Sequence, residues 1–218
     1  MAQPHRRPAG PCADGLASRR RGGGMSDTGV PAGKVAAVVT SLEMFAPPAS
    51  RPAPEGLRLS LRQVEQPAPG WFRALYRKVG ENWLWYTRLM MSDAALCAII
   101  HDPRVEVYVL MRDAEEAGLL ELDFRIPGEC EVSFFGVTQE LIGAGAARWL
   151  MNHALARAWS RPVRRVWVHT CTFDHPAALA FYLRSGFRPY AREIEIVDDP
   201  RLTGVLPRTA APHIPLIE

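Results

Sequence analysis

The sequence predicts an α+β fold: a mixed, mostly antiparallel central sheet flanked by helices. Two observations carry this. Residues 105–137 hold three apolar, strand-like runs separated by short turns, the pattern of an antiparallel meander. Residues 144–185 then hold two helical patterns around one more strand, so helices and sheet share a core.

The elements follow in order. Residues 1–56 read as a disordered or mis-annotated leader, rich in Gly, Pro, Ala and Arg; Met25 as the true start is favoured over a transit peptide, because Gly and Pro break any amphipathic helix. Leu57, Leu59 and Leu61 alternate with Arg58, Ser60 and Arg62, a strand period. Residues 70–78 read as a short helix and 81–91 as an aromatic block. Ser92-Asp93 caps a helix over 94–100, which ends before Pro103. Strands are expected at 105–111, 119–125 and 130–137, with turns at 115–118 and 127–128. Ala147, Leu150, Met151, Ala154, Leu155 and Ala158 share one stripe of a helix over 144–160. A strand at 164–171 precedes a second helix over 175–185, with Asp174 as cap, Pro176 in the first turn and Gly186 after the end. A strand at 187–197 and a partly ordered tail at 198–218 complete the chain. The folded domain is thus expected at 57–197.

Composition narrows the function. Of 218 residues, 22% are charged and 48% hydrophobic, which is ordinary for a globular protein. Residues 1–24 carry five Arg against one Asp, whereas the remaining 194 carry 21 basic and 22 acidic side chains. The body is therefore not a basic nucleic-acid binder. No apolar run approaches the roughly 20 residues of a membrane helix, so no membrane partner is expected. Cys12, Cys97, Cys130 and Cys171 form no CxxC pair. Isolated thiols of a reducing cytoplasm fit better than a disulfide or a metal site, and no metal is expected. A Cys/His metal site would rest only on the spacing of Cys171 and His175.

The chemistry concentrates in two stretches. The first, Phe134-Phe135-Gly136-Val137-Thr138-Gln139-Glu140-Leu141-Ile142-Gly143-Ala144-Gly145, is a strand, a loop with two glycines and a helix start. Unpaired N–H groups at a helix N-terminus suit a pyrophosphate, and glycines let the backbone approach it. No Lys-Ser/Thr pair follows Gly145, so this is not a P-loop. Arg148 stands where a dinucleotide fingerprint would close. The second stretch runs from His169 through Asp174-His175-Pro176-Ala177-Ala178 to Tyr182 and Gly186-Phe187.

Together the two stretches resemble the GNAT family of N-acetyltransferases, within a bacterial subgroup of unassigned substrate. Gly143 and Gly145 match its Arg/Gln-x-x-Gly-x-Gly/Ala loop. Ala178, Tyr182, Gly186 and Phe187 match its Asn-x-x-Ala-x-x-x-Tyr-x-x-x-Gly-Phe pattern. Glu140 stands where the loop has Arg or Gln, and His175 where Asn is usual. The resemblance is clear over 105–197 and extends to 57 through the order of elements.

The resemblance implies a sheet splayed between the fourth and fifth strands of that domain. It implies acetyl-CoA as co-substrate, with pantetheine pairing near Phe135, Gly136 and Val137. The pyrophosphate would lie on Leu141, Ile142, Gly143, Ala144, Gly145 and Ala146, with His175 at the next helix start. The reaction implied is direct transfer of acetyl to an amine of a small molecule or peptide, with Tyr182 protonating the leaving thiolate. Glu131 and His169 lead the candidates for general base, ahead of Glu121, Asp123 and Ser133. Cys171 as an acetyl carrier is the weaker alternative. Trp83, Trp85, Tyr86 and Arg88 fall where the family covers its acceptor. The family allows a homodimer. The competing reading is a degenerate domain that binds CoA as a sensor or partner module without catalysis.

Overall fold

The computed structural model describes residues 29–52 and 54–218. Seven strands make one sheet: β1 (Lys34–Met44), β2 (Leu59–Gln63), β3 (Val105–Arg112), β4 (Glu115–Asp123), β5 (Glu129–Val137), β6 (Arg165–Cys171) and β7 (Arg188–Asp198). Four helices pack on it: α1 (Pro69–Gly80), α2 (Asp93–Ile100), α3 (Ala146–Trp159) and α4 (Ala178–Arg184). The strand order is β2-β3-β4-β5-β6-β1-β7, antiparallel throughout except for the parallel pair β5–β6.

The two faces of the sheet explain why the central strands read as continuous apolar runs rather than alternating ones. Val107, Val109 and Leu119 face α1 and α2, whereas Leu110, Leu120 and Leu122 face α3 and α4. In α1 the buried residues Phe72, Leu75, Tyr76 and Val79 recur at the spacing of one helix face. The Ser92 hydroxyl accepts the Ala95 N–H and starts α2, as its sequence indicates. Buried Glu106 accepts hydrogen bonds from Tyr108 and Arg157 and pairs with Arg161. It thereby fixes the end of α3 to β3.

The expected leader needs correction. Residues 34–44 are not outside the fold; they form β1, which sits between β6 and β7 and pairs with both. Val35, Ala37, Val39, Leu42 and Met44 are buried, and Leu42 is fully so. Each fully buried side chain of this size contributes roughly 1.5–3 kcal/mol relative to exposure. Residues 1–28, including Met25, lie outside the described residues.

Three smaller expectations also shift. β4 begins at Glu115, so the turn falls at Asp113-Ala114, with Asp113 at positive φ. Helix α4 begins at Ala178, not residue 175, and Asp174 does not cap it. Instead the Asp174 carboxylate accepts from the Thr170 hydroxyl at 2.6 Å and the Cys171 N–H at 3.0 Å, closing the turn after β6. Residues 199–218 contain no helix or strand but are folded onto the body. The Arg201 guanidinium pairs with Asp199 and donates to the carbonyls of Ala210, Ala211, Ile214 and Pro215. Both charged side chains are almost wholly buried.

Candidate active site

The site begins where the sheet opens. β5 and β6 pair only from Glu129↔Arg165 to Glu131↔Trp167 and then part. On its other side β5 stays paired with β4 up to Val137, through a bulge that leaves Ser133 unmatched. From Val132 onward β5 therefore presents one unpaired edge of N–H and C=O groups toward the gap. A cavity of about 520 Å³ fills the gap. It is lined from β5 by Phe135, Gly136 and Val137, from β6 by Val168 and His169, and from α4 by Tyr182.

Gly136 lies at this edge because nothing larger fits. A Cβ there would meet Val79 at 2.5 Å and the Trp85 ring at 3.1 Å. After β5 the chain makes a 3-10 turn at Gln139–Leu141 and enters α3. Gly143 and Gly145 have φ of +82° and +89°, a region that glycine occupies without strain. Their N–H groups make no hydrogen bond among the described residues, whereas those of Leu141, Ile142 and Ala144 are bonded within the turn. Leu141 and Ala146 bury their side chains in the core. Of this loop, Ile142, Gly143 and Gly145 reach the cavity. Exposed Glu140 has its carboxyl held below the usual range by its own N–H and the Thr138 side chain. It is turned onto the 3-10 turn.

Tyr182 is buried against Phe135, Phe181 and Phe187, with ring centroids 5.5–6.3 Å apart. Its hydroxyl has no hydrogen-bond partner among the described residues, and burial pushes its pKa upward, keeping it protonated. Cys171 lines the same cavity, but burial pushes its thiol up to about 11, so it is not a thiolate at neutral pH.

The candidate bases separate clearly. Glu121 is fully buried and paired with Arg88 at 2.5 Å, and burial raises its pKa. Asp123 is bound by the Arg125 guanidinium. Glu131 and His169 come together: His169 Nδ1 lies 3.6 Å from Glu131 Oε1. This contact raises the pKa of His169, and Asp174 and Glu195 act in the same direction.

The aromatic block forms the opposite wall. Trp85 is wedged between Gly80 and Gly136 and packs on Tyr76 and Phe134, so much of it is structural. Trp83 is half-buried, flanked by His175 at 5.3 Å and His213 at 5.6 Å. Tyr86 lines the cavity beside Leu84. Arg88 does not line it; its guanidinium lies over the Phe134 ring at 5.0 Å. His175 lines the cavity, and its Nδ1 accepts the Ala177 N–H at 3.1 Å.

Among the contributors that sequence reasoning missed are Ala37 and Val39 of β1, Arg184 of α4, Glu195 of β7 and Arg51. The alternation of buried residues at 35, 37 and 39, rich in valine, was the available signal for the first two. Arg51 and Glu195 carry no local signal, since the topology alone brings them to the cavity. Among the described residues no cluster of three His, Cys, Asp or Glu could hold a metal ion, and none of Cys97, Cys130 and Cys171 is in a disulfide.

A sheet opened between two parallel strands, with a glycine turn and helix N-terminus at one end of the gap, marks an acyltransferase scaffold. The chain belongs to the acetyltransferase (GNAT) family, whose sequence model matches residues 67–187. Solved structures share the fold. A functionally unknown conserved protein from Staphylococcus epidermidis is 13% identical over 77% of this chain and 63% of its own, with a TM-score of 0.52. A GNAT-family protein from Novosphingobium aromaticivorans is 16% identical over 77% and 67%, also at 0.52. A GCN5-related N-acetyltransferase from Sphaerobacter thermophilus is 20% identical over 78% and 53%, again at 0.52. The chain thus spans about two thirds or less of the length of these proteins. No curated protein matches it by sequence. No helix among the described residues is long and apolar enough to cross a membrane.

Proposed function

We propose that the chain transfers the acetyl group of acetyl-CoA directly to an amine of a small molecule or peptide. The observation that carries this is convergence. The free edge of β5, the N–H groups of Gly143 and Gly145 that are unbonded among the described residues, Tyr182, and His169 with Glu131 beside it meet at one cavity. Acetyl-CoA would supply the activated thioester. The β5 edge would hold its extended arm and the Gly143–Gly145 turn its phosphates.

The chain's own groups then divide the proton transfers. His169 would take the proton of the acceptor ammonium, oriented and made more basic by Glu131. Tyr182 would give its proton to the departing sulfur. The apolar surroundings that keep the phenol protonated also favour a neutral thiol over a thiolate, as the raised pKa of Cys171 in the same cavity illustrates. An amine acceptor fits the charge at this end, where Asp174 and Glu195 line the cavity and Glu131 stands beside His169. Free thiols suit a reducing cytoplasm.

The test is acetyl transfer by the full chain to a panel of amines, with Tyr182→Phe as control. Transfer by the parent, lost in the variant while acetyl-CoA still binds, supports this reading. Binding without transfer to any amine would favour a non-catalytic CoA-binding module.

A further inference from the structure

The crossover from β1 to β2 lies along the glycine turn and α3. Arg148 Nη1 donates to the Pro52 carbonyl at 3.1 Å, and Asn152 Nδ2 donates to the Arg51 carbonyl at 2.7 Å. The Pro54 ring covers Gly145, where a Cβ would come within 2.4 Å of it. Between this segment and α3 lies a second cavity of about 150 Å³, so the segment spans the helix rather than packing flat on it.

The segment brings Arg51 to the main cavity, which Arg148 of α3 and Arg184 of α4 also line. None of the three has a carboxylate partner among the described residues. Most of the described arginines are ion-paired, whereas these three line one cavity without a carboxylate partner and are a local source of positive charge. Gly143 and Gly145, whose N–H groups make no hydrogen bond among the described residues, line the same cavity. Asp174 and Glu195 line the same cavity.

We infer that Arg51 is a phosphate-binding residue delivered by the β1–β2 crossover. With Arg148 and Arg184 it supplies the positive charge that the turn itself lacks, since exposed Glu140 is turned away. The ligand class is a phosphorylated pantetheine carrier, bound through its phosphates. This rests on the acetyl-CoA reading above. Guanidinium groups suit it because their planar donor set matches phosphate oxygens in pairs.

The experiment is calorimetric titration of the full chain with acetyl-CoA and with S-acetylpantetheine, which lacks the phosphates. For the parent, acetyl-CoA should bind far more tightly than S-acetylpantetheine. Arg51→Ala should weaken acetyl-CoA about 10- to 100-fold, the worth of a charge-assisted hydrogen bond or two. It should leave S-acetylpantetheine unchanged and flatten the salt dependence of acetyl-CoA binding. Arg51→Lys should recover part of the loss, and Arg184→Ala should repeat it from another element. Equal affinity of parent and Arg51→Ala for acetyl-CoA would overturn the inference and leave the acetyl-CoA reading standing. Equal weakening of both ligands would assign Arg51 a structural role instead. A parent that binds neither ligand would remove the acetyl-CoA reading and this inference together.

Discussion

His169 Nδ1 stands 3.6 Å from Glu131 Oε1, and the pair bridges β5 and β6 from the last paired residue of β5 to a residue of β6 beyond the point where the strands part. The same opening that makes the cavity thus places a base and its orienting carboxylate at its edge. Glu131 favours the imidazolium, so the pKa of His169 is raised above the ordinary value of about 6.5. If His169 accepts the amine proton, kcat/KM should rise with pH through this raised value. Glu131→Gln should shift that acid limb to lower pH and reduce the plateau, in a pH–rate profile read beside an NMR titration of His169. The sign for stability is opposite. The contact stabilises the fold below about pH 6.5, and this contribution fades as pH rises through the folded value. Thermal unfolding of Glu131→Gln should show less of that dependence, since only Asp174 and Glu195 then raise the pKa.

Tyr182→Phe removes one oxygen and leaves the packing on Phe135, Phe181 and Phe187 intact. Unfolding free energy should change by less than about 1 kcal/mol, because the hydroxyl has no partner to lose. The kcat should fall on the order of 10²-fold or more, the range for general acid catalysis. An unchanged kcat would remove Tyr182 from the mechanism.

Trp83 and Trp85 should behave differently. Trp85→Ala vacates the space between Gly80 and Gly136 and should cost about 3–5 kcal/mol of stability, visible in denaturant melts. Trp83→Ala should leave the fold nearly unchanged. It should raise the acceptor KM several-fold without altering acetyl-CoA affinity, and comparable losses on both substrates would argue against an acceptor wall.

The Arg201–Asp199 pair organises residues 199–218, and these pack by Leu206, Ala210 and Ala211 on Leu84 beside the aromatic wall. Arg201→Ala leaves a buried carboxylate and at least four carbonyls without their donor, a change worth about 3–5 kcal/mol. The Asp199 pKa is lowered by Arg201, so the parent gains stability above about pH 4 that is lost as pH falls through the folded value. Hydrogen exchange should show the C-terminal segment opening first in the variant.

The sequence made the meander, α2 with its Ser92 cap, and the glycine turn readable, because each rests on local chemistry. Tyr182, Glu131 and His169 could be named because the family resemblance gives Tyr182 its motif position and sets the strands of the other two beside the thioester. β1 was lost to its surroundings: eleven strand residues flanked by Gly- and Pro-rich segments resemble a leader, and its partners lie far along the chain. Asp174 shows the limit at short range, since a carboxylate before a helix suits a cap and a β-turn equally. The burial of Glu121 and the pairing of Asp123 with Arg125 could not be foreseen, because period two gives a face but not what covers it.

The position of β1 also governs how the chain is made. Val39 pairs with Cys171 and with Glu193, more than 130 residues later. At ribosomal rates of roughly 5–20 residues per second, β1 waits on the order of ten seconds for its neighbours. Contacts of such long separation slow folding, because the loop must close before any pairing is gained. Slower synthesis lengthens the interval in which the apolar run Val35–Val39 is open to pairing with another chain, so yield of soluble protein should depend on elongation rate more than on the final stability.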